Sequence, residues 1–128
     1  MEKLLLVAVG GACGSVGRYL TGTMALGLFG PRFGWTGTFT VNLVGGLLMG
    51  FLVGFLAHRG APDQERLRIL LAVGVLGGFT TFSSFSLDAA LMIERRDYAL
   101  ASAYILASVT LSILALFAGM MAARRLFA

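Results

Sequence analysis

GVLGGFTTFSSFSLD, residues 74–88, lies inside a long apolar run where a membrane-crossing helix would be expected to continue undisturbed. It holds three glycines, two threonines, three serines and three phenylalanines. Glycine costs about 1 kcal/mol per helical position relative to alanine. Gly74, Gly77 and Gly78, just ahead of Thr80 and Thr81, therefore predict a break in this span. Broken backbone at membrane depth is tolerated only where it is buried in protein or lines a cavity, because unpaired amides and carbonyls are expensive in lipid. Freed carbonyls suit a cation and half-helix N-termini suit an anion. Phe79, Phe82 and Phe85 follow at spacings of three, on roughly one face. A phenyl ring carries a positive edge against which a small anion can rest. The stretch reads as a break and an ion site.

The rest of the chain is built around such a site. Of its 128 residues 58% are hydrophobic and only 12% charged, against roughly 25% charged in soluble domains. Four runs, Leu4–Phe29, Trp35–Ala57, Leu67–Ile93 and Tyr98–Met121, are long enough to cross a hydrocarbon core of about 30 Å. The connectors GPRFG, HRGAPDQER and ERRDY carry the turn and charge signals. The first run is too long for a cleaved signal peptide and is followed by three more of its kind. The expectation is an all-α, multi-pass membrane protein with one four-helix domain over residues 1–128.

Several chemistries are excluded. A single cysteine, Cys13, rules out an intrachain disulfide and a cysteine cluster for metal. The only histidine, His58, stands at a span end, and no activated nucleophile is visible, so no enzyme is expected. The net charge of +4 comes from basic residues flanking the spans, which mark interfaces rather than a nucleic-acid surface. One side of the membrane would hold Lys3, Arg59, Arg66, Arg68, Arg124 and Arg125, the other Arg32, Arg95 and Arg96. Six against three orients the chain only weakly, which favours insertion both ways up over a single orientation.

Within the spans, Gly10, Gly14 and Gly17 share one face of the first helix, and Gly46, Gly50 and Gly54 one face of the second. Small residues let helix backbones approach closely, so these read as packing positions. Arg18 lies inside the first span, where an unpaired charge costs at least ~2.5–3.5 kcal/mol. Asp88 lies at comparable depth, and the two are expected either to approach or to share a hydrated vestibule; the alternative is that Arg18 snorkels to the interface. Thr36, Thr38 and Thr40 can bond back to backbone carbonyls. Asn42 has two donors and two acceptor lone pairs to satisfy, and so needs partners on another helix or along a polar path. Tyr104, Ser108 and Ser112 recur every four residues, a stripe of uncharged hydroxyls about 12 Å long. A pore must release its ion, which neutral dipoles allow better than a full charge.

These residues carry a resemblance over essentially the whole chain. GGACGSVGRY, NLVGG at residues 42–46, GGFTTFSSF at residues 77–85 and the Tyr104, Ser108, Ser112 stripe resemble the Fluc (CrcB) family of fluoride channels. The resemblance implies an antiparallel, dual-topology homodimer in the cell inner (plasma) membrane, with two pores that pass fluoride passively and selectively out of the cytoplasm. It implies that Asn42, Phe82 and Phe85 line the fluoride path, with Tyr104, Ser108 and Ser112 as a polar track and Ser84 and Thr38 beside it. Ser84 stands where many relatives carry threonine and keeps the hydroxyl. Arg18 would face the vestibule. Backbone carbonyls near Gly77 and Thr80 would hold a structural sodium ion at the dimer interface. No nucleotide or nucleic acid is implied. The rival reading, a small multidrug-resistance-type proton-coupled exporter, needs a mid-membrane carboxylate that the first span lacks, since Glu2 stands at its very start.

Overall fold

The protein is described from a computed structural model covering residues 1–128. Helix α1 runs over Glu2–Phe29 and ends at Gly30 (φ 81°), after which Pro31–Phe33 forms a single 3₁₀ turn. Helix α2 runs over Trp35–Arg59 and ends at Gly60 (φ 58°). Helix α3 occupies residues 64–79; Gln64–Leu67 is α-helical, Arg68–Leu76 is wound more widely as a π-helix, and Gly77–Phe79 is α-helical again. Thr80 (φ −83°, ψ 156°) and Thr81 (φ −152°, ψ 123°) are extended, and α4 starts at Phe82 and runs to Glu94. Helix α5 runs over Tyr98–Phe127. Four stretches, Glu2–Phe29, Pro31–Arg59, Gln64–Glu94 and Tyr98–Phe127, are long and apolar enough to cross a membrane.

The helices associate as two close pairs, α1 with α3 and α2 with α5. In lipid no hydrophobic drive pulls helices together, so close backbone approach has to supply the contact energy. Gly10 of α1 lies against Gly74, where a Cβ would come within 3.0 Å of the facing Cα. Gly14 lies against the Val75 carbonyl, and a Cβ on Gly78 would meet the Gly11 carbonyl oxygen at 2.6 Å. Gly74 and Gly78 are thus contact points for α1, and like Gly77 they are themselves helical. Across the other pair, Gly50 and Gly119 abut the backbones of Leu116 and of Leu47 and Phe51.

A core of Phe85, Ala89, Met92, Ala101 and Tyr104 forms where α4 meets α5, with Trp35 and Phe39 of α2 packed against it. Trp35 and Tyr104 stack edge to face, with ring centroids 5.4 Å apart. At the opposite end, Lys3 pairs with Glu65 at 2.6 Å and Arg66 with Glu2 at 3.0 Å, tying the start of α1 to the start of α3. Both pairs are exposed, where solvent and salt screen them, and they contribute little to stability.

The connection from α4 to α5 has an unusual cap. Arg96 N–H donates to the Ile93 carbonyl and Asp97 N–H to the Met92 carbonyl, the paired bonds of a Schellman motif. The residue between helix and loop in that motif is left-handed and usually glycine. Here it is Arg96, with φ 60°. A Cβ in that region costs roughly 1–2 kcal/mol.

Candidate functional site

The interruption between α3 and α4 is held open by Asn42. Its Oδ1 accepts from Thr81 N–H at 2.8 Å and its Nδ2 donates to the Thr81 carbonyl at 2.9 Å. The carboxamide thereby supplies both partners that a helix would otherwise give Thr81. Thr81 also caps α4, its Oγ1 accepting from Ser84 N–H at 3.2 Å. In an unbroken helix the amides of Thr81 and Ser84 would donate to the carbonyls of Gly77 and Thr80. Both amides are diverted, which leaves those two carbonyl oxygens without their helical donors. Thr80 Oγ1 bonds back to the Leu76 carbonyl at 2.8 Å, and Gly45 leaves room for its methyl group.

Around the interruption lies a cavity of about 360 Å³. Asn42, Thr80, Phe82, Phe85, Ser108 and Ser112 line it, with apolar side chains of α5 and no charged residue. The Phe82 and Phe85 rings are tilted against each other with centroids 5.5 Å apart. They differ sharply in environment, Phe85 being 8% exposed and Phe82 77%. Ser108 is buried, and its hydroxyl has no partner within the chain. Thr21, Thr40 and Ser86, by contrast, satisfy their hydroxyls on the carbonyl four residues back. A buried, unanswered hydroxyl costs about 1–3 kcal/mol and stands ready to donate to whatever enters.

A second cavity, of about 540 Å³, lies on the other side of Thr81, which lines both. It collects Arg18, Thr38, Ser84 and Asp88. Arg18 and Asp88 share this space but form no ion pair; the ion pairs of the chain are the two at the opposite end. Asp88 Oδ2 instead accepts from the Tyr104 hydroxyl at 3.0 Å.

The hydroxyl stripe of the last helix is therefore divided. Ser108 and Ser112 face the uncharged cavity, whereas Tyr104 is buried in the core beside Phe85, its oxygen turned to Asp88. Gly77 borders neither cavity. The residue that sequence reasoning missed is Thr81, the partner of Asn42, the cap of α4 and the wall between the two spaces. The doubled threonine after the glycines was its only signal. No cluster of three or more His, Cys, Asp or Glu side chains could hold a metal ion. Oxygen ligands for a cation would have to come from backbone carbonyls and neutral side-chain oxygens at the interruption.

Comparison with known proteins adds a consistent picture. Residues 5–120 match the family described as CrcB-like protein, Camphor Resistance (CrcB). A protein of Caulobacter sp. (strain K31) is 63% identical over 127 residues, covering 99% of this chain and 98% of its own length. One from Phenylobacterium zucineum is 60% identical over the full length of both chains. One from Agrobacterium fabrum is 53% identical over 99% of this chain and 100% of its own. All three are named fluoride-specific ion channel FluC.

Proposed function

The chain belongs to the CrcB-like family, and from that premise we propose that it is a channel that lets fluoride leave the cytoplasm passively and selectively. It is a channel rather than an enzyme, and its four spans make it a multi-pass membrane protein; the inner (plasma) membrane is its proposed location. The observation that carries the reading is the cavity at the interruption, where two phenyl rings, a carboxamide and an unpaired serine hydroxyl meet with no charged group. Fluoride gives up its water reluctantly, so a path must offer replacement dipoles. Hydroxyl donors of Ser108 and Ser112 and the positive edges of Phe82 and Phe85 supply them. Because none carries a full charge, the ion is not trapped. Arg18, Thr38, Ser84 and Asp88 would meet the ion in the hydrated second cavity, on the far side of Thr81.

The proposed working unit is an antiparallel pair of copies enclosing two pores. Its support is exposure: only 19 of 128 residues are buried, and Phe82 lines the cavity while lying largely open. An inverted neighbour would cover that opening and bring two interruptions together on a two-fold axis. The carbonyls of Gly77 and Thr80, deprived of their helical donors, suit a hard monovalent cation such as sodium. When bound there, sodium would neutralise the carbonyl dipoles and tie the interruptions together. One chain supplies too few such oxygens, and a second copy would double them.

Phe82→Ala and Phe85→Ala separate pore from core. Phe85→Ala empties a buried site and is expected to cost about 3–5 kcal/mol of stability. Phe82→Ala removes an exposed ring and should leave the fold of the chain intact. It should still slow fluoride efflux from liposomes about tenfold, the kinetic equivalent of one aromatic contact of about 1.4 kcal/mol. Wild-type efflux through Phe82→Ala would take the ring out of the path.

A further inference from the structure

At the end of the molecule where α4 turns into α5, a third cavity of about 590 Å³ opens beside the 3₁₀ turn. Arg32, Arg95 and Arg96 line it, and none of the three is in an ion pair. Arg96 holds the left-handed cap position described above. The other two left-handed positions of the chain, Gly30 and Gly60, are both glycine. A chain with 18 glycines thus keeps an arginine where glycine would sit without strain, and directs it to a cavity. Asp88 and Asp97 also face this space. The Asp88 carboxylate is engaged by Tyr104, and three guanidinium groups against two carboxylates leave an excess of positive charge.

We propose that this cavity is a binding site for a phosphate group, held by Arg32, Arg95 and Arg96. Guanidinium is planar and weakly hydrated, and its paired N–H groups match phosphate oxygens two at a time. A single fluoride ion presents one acceptor centre where phosphate presents several oxygens to several forks, and it would occupy a small part of a space many times the roughly 30 Å³ of one water. The neighbouring surface is apolar, with Phe33 43% and Leu91 37% exposed. That suits a phosphate carried by an anionic phospholipid at the membrane boundary, where basic pockets between helices bind such headgroups. Inorganic phosphate from solution shares the same chemistry. The assignment does not rest on the uncharged cavity, with which this space shares no lining residue; Gly34 and Asp88 border both this space and the hydrated second cavity.

Arg96→Gly provides the test, since glycine fits φ 60° and the variant should fold at least as well as the parent. In nanodiscs of mixed phosphatidylglycerol and phosphatidylcholine, native mass spectrometry should find the protein enriched in phosphatidylglycerol. Arg96→Gly should lower that enrichment about fivefold, as expected for one interfacial charge. Arg124→Gln, at the opposite end, should leave it unchanged. In nanodiscs of phosphatidylcholine alone, added inorganic phosphate should raise the thermal midpoint of the parent and not of Arg96→Gly if the site also fills from solution. Enrichment in the parent without a phosphate response assigns the site to the lipid. A phosphate response without enrichment assigns it to the free ion. The proposal is overturned if Arg96→Gly alters neither property, or if Arg124→Gln lowers enrichment as much.

Discussion

Asn42→Asp is expected to abolish fluoride efflux. The substitution keeps an oxygen that can accept from Thr81 N–H, but it loses the Nδ2 donor to the Thr81 carbonyl. It also sets a full negative charge in a cavity that otherwise holds none. Two like charges about 4 Å apart repel by roughly 4 kcal/mol at the effective dielectric of a partly hydrated protein site. That corresponds to a slowing of about a thousandfold. Asn42→Ala acts differently: it leaves the buried Thr81 backbone with an unpaired N–H and C=O, at about 1–3 kcal/mol for each group. Both variants should therefore lose thermal stability, the aspartate variant through the unpaired Thr81 carbonyl and its own part-buried charge. That charge should cost the aspartate variant more flux than the alanine variant loses. Efflux through Asn42→Asp within about threefold of the parent, under 1 kcal/mol of barrier, would remove the carboxamide from the ion path.

Gly50→Ala should damage the fold most. A Cβ at this position would run into the Leu116 carbonyl and come within 2.7 Å of its carbon and 3.0 Å of its Cα. These are backbone atoms of a helix, so no side chain can swing away and α2 must move off α5. Overpacking commonly costs about 1–3 kcal/mol, and the rigid partner places this case at or above the upper figure. The same seam carries Gly46 against the Ser112 carbonyl. Separating the helices should therefore also distort the uncharged cavity, which Ser112 and Leu116 line. Gly27→Ala is the matched control, since a methyl group there would meet nothing within 4 Å. At that position the change should be neutral or favourable by up to about 1 kcal/mol. Denaturation in detergent that gives the same midpoint for Gly50→Ala and the parent would contradict the packing.

The spans were legible because apolar runs and charged connectors alternate cleanly. Their ends were less so: α2 continues past Ala57 to Arg59, and α5 past Met121 to Phe127. Helical hydrogen bonding does not stop where the apolar run does, and the basic residues continue the helix. Gly74, Gly77 and Gly78 show the limit of propensity as a guide. Their low helix propensity points to a break, yet they are helical, and Gly74 and Gly78 serve contact with α1, while the extended residues are Thr80 and Thr81. What diverts the chain there is Asn42, 39 positions away from Thr81. Periodicity assigns a residue to a helix face, but it cannot say which distant backbone that face will meet.

The same limit applies to Tyr104 and to the Arg18–Asp88 pair. A spacing of four put Tyr104 in line with Ser108 and Ser112, and nothing in that spacing reveals that a carboxylate on α4 would claim its hydroxyl. Comparable depth left Arg18 and Asp88 direct approach or a shared vestibule, with snorkelling of Arg18 to the interface as the alternative. They line one cavity without pairing, and Asp88 accepts from Tyr104 instead. Arg96 was legible only as an interfacial charge, because a left-handed backbone angle leaves no trace in a sequence when the residue is not glycine.

The central claim is that a lining without charge lets fluoride through and holds chloride back. Purified protein in liposomes loaded with potassium fluoride or potassium chloride, diluted into salt-free medium with valinomycin and followed by ion-selective electrodes, tests it directly. The account predicts rapid fluoride release that needs no proton gradient, with chloride retained. Chloride leaving at a similar rate, or fluoride staying inside, would contradict it.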